Sequence, residues 1–183
     1  MDNHYVFSFN DIDQAIELSG DESNVNNLLG EKGANLELIQ KLGIPVPKGF
    51  TISTEACRGF YKQNPPSFPP GMWEQTLSAL HNLEEETGKK FGEPQNPLIV
   101  SCRSGAPQNV NGLLPSIINI GFNDDTTISM GIMTNNPTFA WENYSRLIRN
   151  YSINIFGIAE SNFEIELEKL KKEQQIESDE QIT

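Results

Sequence analysis

Two short segments hold the residue types that grip anions. In Gly30-Glu31-Lys32-Gly33, two glycines bracket a lysine just before an expected helix. At such a start, free backbone N–H groups and the helix dipole favour negative charge, and Lys32 adds a mobile cation. The GxxxxGK[ST] spacing of a Walker A loop is absent. A turn carrying one solvated lysine is the alternative reading. In Val100-Ser101-Cys102-Arg103-Ser104-Gly105-Ala106, an arginine ends an apolar run and a small-residue turn follows. A guanidinium there can bind two phosphate oxygens while the Ser104 and Gly105 amides contact others. The alternative is an Arg103 paired with an acidic neighbour at a sheet rim. Two basic sites in an acidic chain favour the anion reading.

Other chemistries find no support in the residue pattern. The chain has only two histidines, His4 and His81, and neither lies near a cysteine or the other histidine. That spacing offers no zinc site and no Ser/His nucleophile pair. His81 reads as part of a wet helix face, and Glu84-Glu85-Glu86 as solvated surface. Cys57 and Cys102 are isolated, which fits small buried thiols in a reducing compartment. Thirteen Lys and Arg against twenty-five Asp and Glu give a net charge of −12 over 183 residues. Such a surface repels nucleic-acid backbones. No apolar run reaches the roughly 18 residues that span a bilayer. The N-terminal residues lack a basic segment followed by an apolar one, so no signal peptide is expected and the localisation read from the sequence is cytoplasmic.

The elements that must position these residues follow from periodicity. Tyr5–Phe9 and Gly49–Ser53 read as strands, and residues 10–27 as a polar surface excursion. A helix is predicted from Gly33 to Leu42, with Lys41, Gly43 and Pro45 as its stop signal. Thr54 is expected to cap a short helix through Tyr61, and Asn64–Gly71 reads as a proline-rich linker. Residues 72–87 form a predicted helix with Trp73, Leu77, Leu80 and Leu83 near one face. Pro97–Cys102 is a buried-strand candidate, and a Gly/Asn/Pro loop separates it from a second apolar run, Leu113–Ile120. Asn136 caps a further helix with Pro137 in its first turn, its stripe running through Ala140, Tyr144, Leu147, Tyr151 and Ile155. Phe163, Leu167 and Leu170 start a last helix that fades into a polar tail.

Read together, these segments resemble the N-terminal nucleotide-binding region of the pyruvate, phosphate dikinase family. The matching words are Leu28–Leu36, Leu42–Cys57, Val100–Ala106, Asn119–Asp124 and Phe139–Arg149, in the family's order, and the resemblance runs from about Tyr5 to Leu170. It implies an ATP-grasp-type domain. In the family, ATP with Mg²⁺ phosphorylates a histidine on a swivelling domain, and a barrel domain passes the phosphoryl group to pyruvate. Lys32 and Arg103 align with family residues that hold the nucleotide's phosphates. The chain departs from the family pattern after Arg-Ser-Gly-Ala. Where the family reads Ser-Met-Pro-Gly-Met-Met-Asp-Thr, this chain has Asn109-Val-Asn-Gly-Leu-Leu-Pro-Ser116, keeping Gly112 and replacing the aspartate with Pro115. The family's Gly-Gly before the lysine is Gly30-Glu31 here.

The resulting expectation is an α/β fold: a partial ATP-grasp-type domain, a small sheet with helices, followed by a helical subdomain. Residues 1–123 form the α/β part, 124–172 the helical subdomain and 173–183 the polar tail. The expected phosphate ligands are Lys32, Arg103, Ser104, Gly105 and Gly112, with no catalytic residue and no protein metal site. ATP and Mg²⁺ are implied by the resemblance. The leading function is a truncated dikinase-like nucleotide-binding module without complete dikinase activity of its own. The alternatives are a non-catalytic remnant serving as an interaction module and one half of a split dikinase. Partners are a nucleotide and either complementing dikinase domains or a second copy of the chain, with no nucleic acid and no membrane.

Overall fold

The structure, a computed structural model, describes residues 3–106 and 115–175, with Glu37 described by its backbone alone. Two compact units interleave along the chain: Met1–Gly88 with Ser104–Leu114, and Lys89–Arg103 with Pro115–Thr183. Both mix helices with short strands, in keeping with the expected α/β class. The expected small sheet, however, is three separate two-stranded ladders among the described residues.

In the first unit, β1 (Val6–Ser8) pairs antiparallel with β2 (Phe50–Ile52), placing Val6 opposite Ile52 and Ser8 opposite Phe50. Alternating side chains let β1 be buried on both sides. Phe7 packs among Ala15, Val25, Leu28, Leu29 and Ala34, while Val6 packs with Tyr5, Ala56 and Met72. The first set belongs to α1 (Ile12–Ser19) and α2 (Val25–Lys41), the second mainly to α3 (Thr54–Lys62) and α4 (Met72–Thr87).

Helix α1, a 3-10 turn at Glu22–Asn24 and the start of α2 occupy the stretch expected to be a surface excursion. Ile12, Ala15 and Ile16 recur at helical spacing, and this apolar stripe outweighs the surrounding Asp, Glu and Asn. Gly20 ends α1 in the left-handed conformation at φ 77°. The stop signal of α2 acts as predicted, with the N–H of Gly43 donating to the Gln40 carbonyl at 2.8 Å. Leu38 and Leu42 in its last turn are nonetheless exposed.

Two further expectations shift by one position. Ser53, not Thr54, caps α3, its hydroxyl accepting from the N–H of Ala56 at 3.4 Å. On α4 the shift is confined to the first turns: Met72 is buried and Thr76 half-buried while Trp73 and Leu77 are exposed, and further along Leu80 is half-buried and Leu83 buried, as predicted. Phe68 stacks on Trp73 with ring centroids 5.6 Å apart. Gln75 of α4 fixes the entry to β1. Its Oε1 accepts from the N–H groups of Tyr5 at 2.7 Å and Val6 at 3.3 Å, and its Nε2 donates to the Asn3 carbonyl at 2.9 Å.

The second unit contains β3 (Lys90–Phe91), β4 (Pro97–Leu98), β5 (Val100–Arg103), β6 (Ser116–Ile120), α5 (Asp124–Met133), α6 (Pro137–Phe156) and α7 (Glu160–Gln174). The expected strand over Pro97–Cys102 is interrupted at Ile99. Pro97–Leu98 pairs parallel with β3, and Val100–Arg103 pairs antiparallel with β6 through an irregularity between Val100 and Cys102. Leu98 is buried, but Cys102 and Arg103 are exposed, so β5 is not a buried strand. Cys57 is exposed as well, which corrects the reading of both cysteines as buried thiols.

Thr126 and Thr127 are fully buried at the start of α5. Asn123 caps this helix, accepting from the N–H of Thr126 at 2.8 Å, while the Thr126 hydroxyl accepts from the N–H of Asn123 at 2.7 Å. The Thr127 hydroxyl donates to the Asn123 carbonyl at 2.6 Å. Asn136 caps α6 as predicted, accepting from the N–H of Phe139 at 3.0 Å, with Pro137 in the first turn. Ala140 in its stripe is buried, but Tyr151 and Ile155 are exposed. Partial burial, then the hydrogen bond and charge of Asp124, hold the Tyr144 hydroxyl above its ordinary pKa. Helix α7 extends through Gln174, into the stretch expected to be tail; residues 176–183 lie outside the described residues.

Substituting Gln75→Ala removes partners from two main-chain N–H groups. It should destabilise the first unit by about 2 kcal/mol, since an orphaned buried polar group costs about 1–3 kcal/mol. Urea denaturation checks this, and Gln75→Glu, which keeps the acceptor, should recover part of the loss.

Candidate functional site

Gly30 breaks α2 into two helical segments, with φ 72° and ψ 158°. Only glycine adopts this conformation without strain. The break points the next N–H out of the helix: Glu31 N–H donates to the Ala106 carbonyl at 3.0 Å. The approach is close, because a Cβ on Gly30 would lie 3.3 Å from both the N and O of Ala106. One residue further on, the Lys32 ammonium donates to the Ser104 carbonyl at 3.3 Å. Two segments more than 70 residues apart in sequence, Gly30–Lys32 and Ser104–Ala106, are therefore joined within the first unit through main-chain atoms and one lysine.

The glycines of the first segment have distinct roles. Gly33 was expected to begin a helix; it lies inside one that starts at Val25, buried against β2. A Cβ on it would come within 2.8 Å of Thr51 Oγ1 and 3.0 Å of Thr51 Cγ2. Gly33 is thus a packing glycine, whereas Gly30 shapes the backbone. Lys32 is exposed and Glu31 beside it half-buried, so a carboxylate adjoins the lysine.

Arg103 ends β5, opposite Ser116, with its side chain exposed. Among the described residues no carboxylate forms an ion pair with it. Ser104 is half-buried and Gly105 exposed. Gly112, with Asn109 and Asn111, lies outside the described residues, while Pro115 is described and exposed. Among the described residues no group of three or more His, Cys, Asp or Glu side chains is placed to hold a metal ion. His81 is exposed beside Glu84 and Glu85 on α4, its ring nitrogens 3.7 and 3.3 Å from their carboxylates. The residues that sequence reasoning missed are Ala106 and Thr51. Ala106 acts through its carbonyl and Thr51 through its bulk, and neither leaves a mark in residue type.

Chemically, the junction places an ammonium beside a glycine-containing turn, with the Ser104 carbonyl as its partner. Gly30→Ala should cost about 1–3 kcal/mol from the strained φ alone, with further loss from the contact at Ala106. Gly33→Ala should cost about 1–3 kcal/mol by overpacking. Thr51→Ala in the same chain should relieve the second loss and not the first, a coupling that a double-mutant cycle of unfolding energies measures.

Comparison with known proteins bears on this junction. Residues 26–96 match the pyruvate phosphate dikinase AMP/ATP-binding domain family. The chain is 38% identical over 161 residues to the pyruvate, phosphate dikinase of Clostridium symbiosum, covering 88% of this chain and 18% of that protein. It is 36% identical over 163 residues to the Entamoeba histolytica enzyme of the same name, covering 89% of this chain and 18% of that protein. For the Giardia intestinalis enzyme the identity is 38% over 156 residues, 85% of this chain and 17% of that protein. The chain thus spans less than a fifth of the length of these relatives. Over most of its length it is similar to the N-terminal region of pyruvate, phosphate dikinases, and residues 26–96 carry the likeness to that family's AMP/ATP-binding domain.

Proposed function

We propose that this chain is a nucleotide-binding module of the ATP-grasp type in which Lys32, Arg103, Ser104, Gly105 and Gly112 contact the phosphates of ATP. The observation that carries the reading is the junction of Gly30–Lys32 with Ser104–Ala106. The Lys32 ammonium and the turn after Arg103 supply what a polyphosphate needs: positive charge and main-chain donors. Exposure of Arg103, with no carboxylate paired to it among the described residues, leaves its fork available for phosphate oxygens. Mg²⁺ would arrive with the nucleotide and supply charge neutralisation for its phosphates. The dikinase of Clostridium symbiosum is about five times as long as this chain, and the reading proposed for this chain is phosphate binding.

Glu31 sets the strength of binding. Its carboxylate adjoins Lys32 in sequence, and a negative charge brought close to a bound phosphate would outweigh the diffuse charge of the whole surface. Arg103→Ala should weaken Mg-ATP binding about tenfold to a hundredfold, the worth of a charge-assisted contact, with little change in unfolding temperature. An alanine variant that binds as tightly as the parent chain removes Arg103 from the site. Glu31→Gln should strengthen binding about threefold to tenfold by removing the repulsion, more at low salt than at high. Calorimetric titration of the three chains at two ionic strengths reads both effects.

A further inference from the structure

The bond between Lys32 and Ser104 fixes the orientation of a single peptide plane. Lys32 Nζ donates to the Ser104 carbonyl oxygen at 3.3 Å. The Ser104–Gly105 peptide is trans, so its carbonyl and the Gly105 N–H point in opposite directions. With the carbonyl held toward Lys32, the Gly105 N–H is aimed away from it. An anion drawn to the ammonium in this arrangement meets the negative end of the peptide and not a donor.

We infer that the Ser104–Gly105 peptide turns over when a polyphosphate binds; this rests on the phosphate-site reading given above. Lys32 exchanges the Ser104 carbonyl for a phosphate oxygen, and the Gly105 N–H comes round to donate to the same phosphate. One rotation thus removes a repulsive dipole and adds an attractive one. Next along the chain, Ala106 is held through its carbonyl by the Glu31 N–H at 3.0 Å.

The residue at position 105 supports this inference. Gly105 does not lie in the left-handed region, and a Cβ placed on it would meet only the Leu29 carbonyl, at an ordinary 3.8 Å. Nothing in the resting conformation calls for glycine. The turned-over conformation does, because rotating a rigid peptide by about 180° shifts φ of the following residue by the same amount, which takes an ordinary negative φ into the positive range that side chains resist. Gly30 is required by the structure at rest, whereas Gly105 is required by the change.

The test is titration of the full chain and of Gly105→Ala with Mg-ATP and with inorganic tripolyphosphate, alongside thermal unfolding of both. The expected result is an unchanged unfolding temperature and about a tenfold or greater loss of affinity for both ligands, the worth of one donor to a charged group. Gly105→Ala binding as tightly as the parent chain overturns the turning peptide and leaves the phosphate site standing. Failure of the parent chain to bind either ligand overturns both. Should the variant unfold early, the parent chain decides the matter through the Gly105 amide in ¹⁵N-labelled protein. A large displacement of that resonance on saturation with tripolyphosphate, larger than for its neighbours, supports the rotation, and a stationary resonance rejects it.

Discussion

The backbone of Gly30 is the constraint on which the junction depends. A helix that ran unbroken from Val25 to Lys41 would bond the Glu31 N–H internally and leave the Ala106 carbonyl without this partner. The positive φ at Gly30 releases that N–H and brings Glu31 and Lys32 to the segment after Arg103. Helix continuity is given up at one residue, and a contact between distant parts of the chain is gained. The bulk of Thr51 restricts the adjoining Gly33 from the other direction, so this stretch of α2 is held by backbone shape at one end and by packing at the other.

Charge acts on a shorter scale than the total suggests. A net −12 would seem hostile to any phosphate, yet exposed charges farther apart than about 8–10 Å are largely screened at physiological salt. At the site proposed above, the charges of Lys32 and Arg103 and the peptide dipoles of Ser104–Ala106 would act at closer range than the rest of the surface. The exposed ion pairs elsewhere, such as Lys41 with Asp13 and Lys169 with Glu166, contribute little beyond solubility.

Much of the fold was legible because local signals were strong. The β1 and β2 strands, the span of α4 and the Asn136–Pro137 start of α6 each announce themselves by spacing or cap chemistry. Helix α1 was hidden because Asp, Asn, Glu and Ser between Asn10 and Asn27 mask an apolar stripe of only three residues. The strand at Pro97–Cys102 was misjudged as buried because apolar composition does not reveal the break at Ile99 or which face stays open. At the start of α4 Met72 is buried in place of Trp73, whose ring stacks on Phe68 with both exposed. At the candidate site, residue types exposed Lys32 and Arg103 as cations near turns. The joint between their segments runs through the Ala106 carbonyl and a glycine dihedral, which residue types do not encode.

The two units also differ in how far along the chain their joints reach. The Thr126 hydroxyl bonds to the Gly121 carbonyl five residues away, and Asn123 closes the same cap within three. Lys32 and Ser104 are 72 residues apart. Closing the longer loop costs about 2 kcal/mol more chain entropy than closing the shorter one, and contacts of high sequence separation form slowly. The start of α5 can therefore assemble while the chain is still largely unfolded, whereas the Lys32–Ser104 junction must wait until the residues between have condensed. In kinetic terms, the part of the molecule suited to phosphate is a late product of folding, and the threonine-latched cap is an early one.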